Sequence, residues 1–212
     1  MMTCTFRCIA LAMLLVSSVG VCTADEIGDL KARVAALEKR FDDLEKALKP
    51  SPAKIPPDQL RAKQQVKARE RMSRDSGTYS QQELSEIETL YQVANEKWQS
   101  QEAQDSLKTL VRKYKKANRT GCAILYLGQM SRGDKQITYL KQAIADHSGC
   151  FYGDGAQVGA LARFFLARAY LDGANADKEK AEKAKTLFDE IRKDYPDSVD
   201  HSGNSLVEQL PQ

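Results

Sequence analysis

The 212-residue chain is short of aromatics, which make up 7% of it with a single tryptophan, Trp98. It is also short of histidine, with only His147 and His201. Charged residues are 29% of the chain, a mix that favours helices with solvated faces over an aromatic-rich β-sandwich. Charge of one sign is lacking too: 32 Lys and Arg face 29 Asp and Glu, for a net +3. That balance is too mild to imply a nucleic-acid partner. The scarcity of histidine argues against a structural zinc site. His147-Ser-Gly-Cys150 supplies two ligands, and no second pair stands at ligand spacing, where such a site needs four. Catalytic residues, metals and cofactors are therefore not expected.

Long apolar runs are nearly absent. The one uncharged, mainly apolar stretch, Ile9–Val21, is too short to span a bilayer comfortably. Arg7 precedes it and the small residues of Val21-Cys22-Thr23-Ala24 follow. Residues 1–24 thus read as a cleaved secretory signal, which places the mature chain in the periplasm or outside the cell with no transmembrane segment. Val21 before Cys22 argues against a lipoprotein, which needs Gly, Ala or Ser there. Cleavage leaves two of five cysteines, Cys122 and Cys150. An even pair in an exported protein points to a disulfide, with two buried free thiols as the alternative.

Prolines are few and clustered: four of six fall in Pro50–Pro57, a stiff linker at 50–57. Before it, over 25–49, Ile27, Leu30, Val34, Leu37, Phe41, Leu44 and Leu48 alternate by three and four without a break. This is the a/d seam of a coiled coil, with Arg33 and Arg40 at g facing Glu38 and Glu45 at e. "RVAALE" and "RFDDLE" resemble the pattern of short parallel trimers, so a homotrimer is expected, with a dimer as the alternative. After the linker, 58–79 is a basic, weakly amphipathic helix and loop carrying Arg61, Lys63, Lys67, Arg69, Arg71 and Arg74. A second basic run comprises Lys108, Arg112, Lys113, Lys115, Lys116 and Arg119. Asn118-Arg119-Thr120 is a glycosylation sequon only in a source that glycosylates such sites.

From 80 to 212 the periodicity is helical throughout, and Ser80-Gln81-Gln82-Glu83 is a capping box. Leu166-Ala167-x-x-Tyr170, followed by Ala184-x-x-x-Phe188 and Pro196, resembles the tetratricopeptide repeat. Leu90-Tyr91-x-x-Ala94 with Ala103-x-x-x-Leu107, and Leu127-Gly128 with Leu140-x-x-Ala143, are weaker copies. Leu107 and Leu140 are 33 residues apart, close to the family period of about 34. No copy has the family's Trp, and only the third has the closing Pro. The resemblance implies an all-α fold: an N-terminal coiled coil plus C-terminal tetratricopeptide-like helical repeats forming an α-solenoid. It also implies a partner-binding groove at Gln92, Asn95, Gln129, Arg132, Arg168 and Asp172. Signal, coil, proline linker and repeats together resemble the bacterial periplasmic Tol–Pal-associated coiled-coil family, in which the coil trimerises and the repeats bind envelope partners. The expected function is an exported, non-enzymatic scaffold that binds other envelope proteins. The alternative is a binder of anionic envelope polymer or lipid surface through the two basic segments.

Overall fold

A computed structural model of the protein describes residues 24–48, 55–172 and 177–211. Residues 1–23 of the expected signal, and 50–54 of the expected linker, lie outside the described residues. The chain divides into two compact units, Met1–Lys54 and Ile55–Gln212. Among the described residues there are eight α-helices and no strand; the only pairing of strand type is at two isolated bridges, Phe151 with Gln157 and Val199 with Ser205.

In the first unit, α1 runs Ala24–Leu48. Its seam residues Leu30, Val34, Leu37 and Phe41 are 62%, 49%, 63% and 59% exposed. The side chains of the other seam residues, Ile27, Leu44 and Leu48, lie outside those described. Arg33 approaches Asp29 one turn earlier, at 4.0 Å.

The second unit holds α2 (Pro57–Ser73), α3 (Gln81–Glu96), α4 (Gln101–Lys113), α5 (Asn118–Met130), α6 (Gly133–His147), α7 (Val158–Leu171) and α8 (Lys178–Asp194). Their ends follow local chemistry. Pro57 opens α2 at a position where the missing N–H has no intrahelical partner in any case. Before α3 the capping box forms in full: Ser80 Oγ accepts from the Glu83 amide at 3.3 Å, and Glu83 Oε2 accepts from the Ser80 amide at 2.8 Å. Ser100 Oγ caps α4 through Ala103, and Asp177 Oδ1 caps α8 through Lys180. Pro196 stands two residues beyond the end of α8.

From α3 to α8 each helix packs on the next along the chain, and α5 touches α3 and α7 as well. The interior alternates small and large residues. Ala94, Ala103, Ala143, Ala167 and Ala184 let backbones approach, while Leu107, Leu110, Leu140, Phe188 and Ile191 fill the space between. Ala184, Leu187, Phe188 and Ile191 form the buried stripe of α8, packed on α7. Gly128 brings α5 so near α6 that a Cβ there would sit 3.0 Å from Leu140 Cδ2.

Helix α2 belongs to this unit rather than to a separate basic segment. It buries Leu60, Gln64 and Ala68, one face at four-residue spacing. The end of the chain holds it there. Gln64 Nε2 donates to the Asp197 carbonyl at 2.6 Å, Lys63 pairs with Asp197 at 2.5 Å, and Arg61 lies against Gly203.

Candidate functional site

Three of the six expected groove residues converge. Helix α5 ends at Met130, and two residues, Ser131 and Arg132, separate it from α6. Gly133 takes φ +59°, a left-handed conformation that a side chain would disfavour. The sharp corner leaves Arg132 exposed at the start of α6, where no side chain caps the first amides. Facing it, α7 presents Phe164 and Arg168 one turn apart, with Asp172 at its C-cap a turn further on. Together they line a surface groove of about 520 Å³, floored by half-buried Ile137, Phe164 and Phe165. Arg132, Arg168 and Asp172 are all exposed on its rim, and neither guanidinium makes an ion pair among the described residues. The two phenyl rings meet nearly edge to face, with centroids 5.8 Å apart.

The other three do not line it. Gln92 and Asn95 belong to a polar network between α3 and α5. Asn95 Nδ2 donates to Gln92 Oε1 at 2.9 Å, Tyr126 Oη donates to Asn95 Oδ1 at 3.3 Å, and Gln92 Nε2 donates to Glu88 at 2.5 Å. Arg119 closes the network on Glu88 at 2.8 Å, with its guanidinium over the Tyr91 ring at 4.3 Å. Gln129 is half-buried near the end of α5. The tetratricopeptide resemblance named three residues at the helix ends that line the groove. It did not find Ile137, Phe164 and Phe165, whose apolar character reads equally well as core.

The disulfide is not formed: Cys122 and Cys150 are both free and buried. The chain does turn back after Gly149, and Cys150 reaches α5, but it meets Gly121 instead. A Cβ on Gly121 would lie 2.6 Å from Cys150 Cβ. Cys122 is one residue, about 100°, further round the helix. Its thiol donates to the Phe151 carbonyl at 3.4 Å. Cys150 Sγ instead accepts from Arg71 Nη2 at 3.9 Å. Burial pushes the Cys150 thiol up, against the pull of Arg71, so its reactive thiolate is disfavoured.

Arg71 sits in a junction that the sequence did not reveal. It pairs with buried Asp75 at 2.7 Å, and Asp75 Oδ2 accepts from the Asn118 amide at the start of α5 at 2.7 Å. The Asn118 side chain exchanges two bonds with the Phe151 backbone, 2.7 and 2.8 Å long. At 1% exposure Asn118 is a structural residue and offers no sequon to solvent. Arg71 also donates to the Lys116 carbonyl at 3.0 Å, which sets the two basic segments side by side. Within them Lys63, Arg71, Lys108, Lys113 and Arg119 are engaged with carboxylates.

Among the described residues, no three His, Cys, Asp or Glu side chains gather as metal ligands, and no helix is long and apolar enough to cross a membrane. No protein-family model, curated protein or solved structure matches the chain.

Proposed function

We propose that this protein is an exported, non-enzymatic scaffold of the cell envelope, working in the periplasm or outside the cell. Its helix pairs α3–α4, α5–α6 and α7–α8 are read as degenerate tetratricopeptide-like repeats, and α1 as the strand of a homo-oligomeric coiled coil. The observation that carries the binding role is the meeting of Arg132, Arg168 and Asp172 on one apolar-floored groove. The contacts of α5 with both α3 and α7, beyond those between chain neighbours, are what stacked pairs require. The exposed seam of α1 is what an unpaired coil strand presents. A non-enzymatic role fits a cysteine whose thiolate is disfavoured by burial. Capture from envelope extract tests the reading: Arg132→Ala/Arg168→Ala should lose the proteins that the native chain retains, and undiminished capture removes the groove from it.

A second reading, binding to an anionic polymer or lipid surface, is favoured by the juxtaposition of the basic segments through Arg71 and Lys116. It requires cosedimentation with anionic vesicles that weakens steeply with salt, because exposed charges are screened.

A further inference from the structure

We infer that the α6–α7 groove takes a protein segment in which a carboxylate side chain stands beside a large apolar one. This rests on the scaffold reading above and names the chemistry of its partner. The groove pairs two unlike features at close quarters. Its floor is apolar, with Ile137 from α6 and Phe164 and Phe165 from α7 left half-buried, so a further hydrophobic side chain would complete their burial. Its rim carries Arg132 at the start of α6 and Arg168 on α7, two exposed guanidinium groups lining the same groove with no carboxylate paired to either among the described residues. Elsewhere in this unit an arginine that packs on an aromatic ring also holds an acid: Arg119 has Glu88 beside Tyr91, and Arg163 has Glu190 at 2.7 Å beside Tyr195. At the groove two arginines and two phenylalanines line one cleft, and neither arginine pairs with an acid among the described residues. A guanidinium is a planar fork that matches a carboxylate with two parallel N–H···O bonds, which selects Asp or Glu over a neutral polar residue. Asp172, the one acid lining the groove, stands one turn beyond Arg168 and disfavours a segment carrying several acids in a row. The occupant is therefore a segment with a single acid and an adjacent Phe, Leu or Ile, supplied by another protein.

The test is an array of randomised nonapeptides, together with peptides tiling this chain, probed with the full chain and with Arg132→Glu/Arg168→Glu. Both side chains are exposed, so the variant should keep the native melting temperature, which is measured alongside. The expected result is enrichment of peptides pairing Asp or Glu with Phe, Leu or Ile. Binding should fall about tenfold for each acid changed to its amide, the scale of one charge-assisted hydrogen bond. The double variant should reject these peptides and select basic ones in their place. Enrichment without an acid, or acidic peptides held equally by the variant, overturns the inference while leaving a scaffold that captures its partners intact. No enrichment together with no capture from envelope extract overturns both. A tile of this chain as the strongest binder would assign the groove to a second copy and overturn the foreign partner.

Discussion

Cys122 and Cys150 show how much one residue of helical rotation decides. Two cysteines in adjoining segments of an exported protein suggest a bridge, yet Gly121 occupies the position that faces Cys150 and turns Cys122 away. With both thiols buried and pushed up, neither should react with a thiol reagent at neutral pH while the protein is folded. A chain beginning at Asp25 should titrate two thiols once denatured without reductant; none would show that the bridge forms after all. His147, one turn before Cys150, carries the acid sensitivity of this region. Burial holds its imidazole below the usual value; Asp146 opposes that effect and Arg71 adds to it. In the unfolded chain the same group protonates at about pH 6.5. The unfolded state therefore binds more protons in that window, and stability falls as the pH drops through it. Melting temperatures should decline between pH 7.5 and 5, and His147→Gln should flatten the decline. An unchanged slope in the variant would place the sensitivity elsewhere. Asp154 acts in a separate, lower window. Burial alone would raise it, but bonds to His201 and the Ala156 amide hold it below the ordinary carboxylate range, so its contribution is full above the ordinary carboxylate value and is lost as the pH falls from there through the depressed one.

Among the elements, α1 differs from the rest in leaving its apolar stripe open. Residues such as Leu37, 63% exposed, are a cost in a lone helix and the contact surface of a coil. A chain beginning at Asp25 should scatter light as a trimer, and one beginning at Ile55 as a monomer. Leu37→Glu in the longer chain should shift it towards monomer. A monomeric longer chain would remove the coil, and a dimer would correct the strand number. The helices α3 to α8 were legible because their signals are local: the capping box at Ser80, the stripe from Ala184 to Ile191, and Pro196 beyond it. The packing of α2 was not, because its buried face reads Leu60, Gln64, Ala68. Glutamine at the centre of a stripe looks solvated until Asp197, far along the chain, supplies its partner. The groove was half legible for a related reason. The resemblance pointed to Arg132, Arg168 and Asp172 near helix ends, but whether Phe164 closes a core or floors a cleft depends on the helix opposite.

Across the whole molecule, the second unit is joined at its two ends. Lys63 and Gln64 reach Asp197, 134 and 133 residues away in sequence, and Arg61 lies against Gly203. From α3 to α8 the main helix contacts are with immediate neighbours or the next but one. That difference has a consequence in time. Contacts between chain neighbours close small loops and form early, whereas a contact across more than a hundred residues carries the entropy of closing nearly the whole unit. As the chain is made, α2 emerges first among these helices; Arg71 near its end can meet Lys116 and Cys150, but Lys63 and Gln64 must wait for Asp197. Docking of α2 should therefore follow the rate-limiting step rather than precede it. In a chain beginning at Ile55, Leu60→Ala should speed unfolding in stopped-flow denaturant jumps and leave the refolding rate nearly unchanged. Leu140→Ala, between α5 and α6, should slow refolding as well. If Leu60→Ala slowed refolding by the full loss of stability, the two ends would meet first and the helices between them would fold inside an already closed loop.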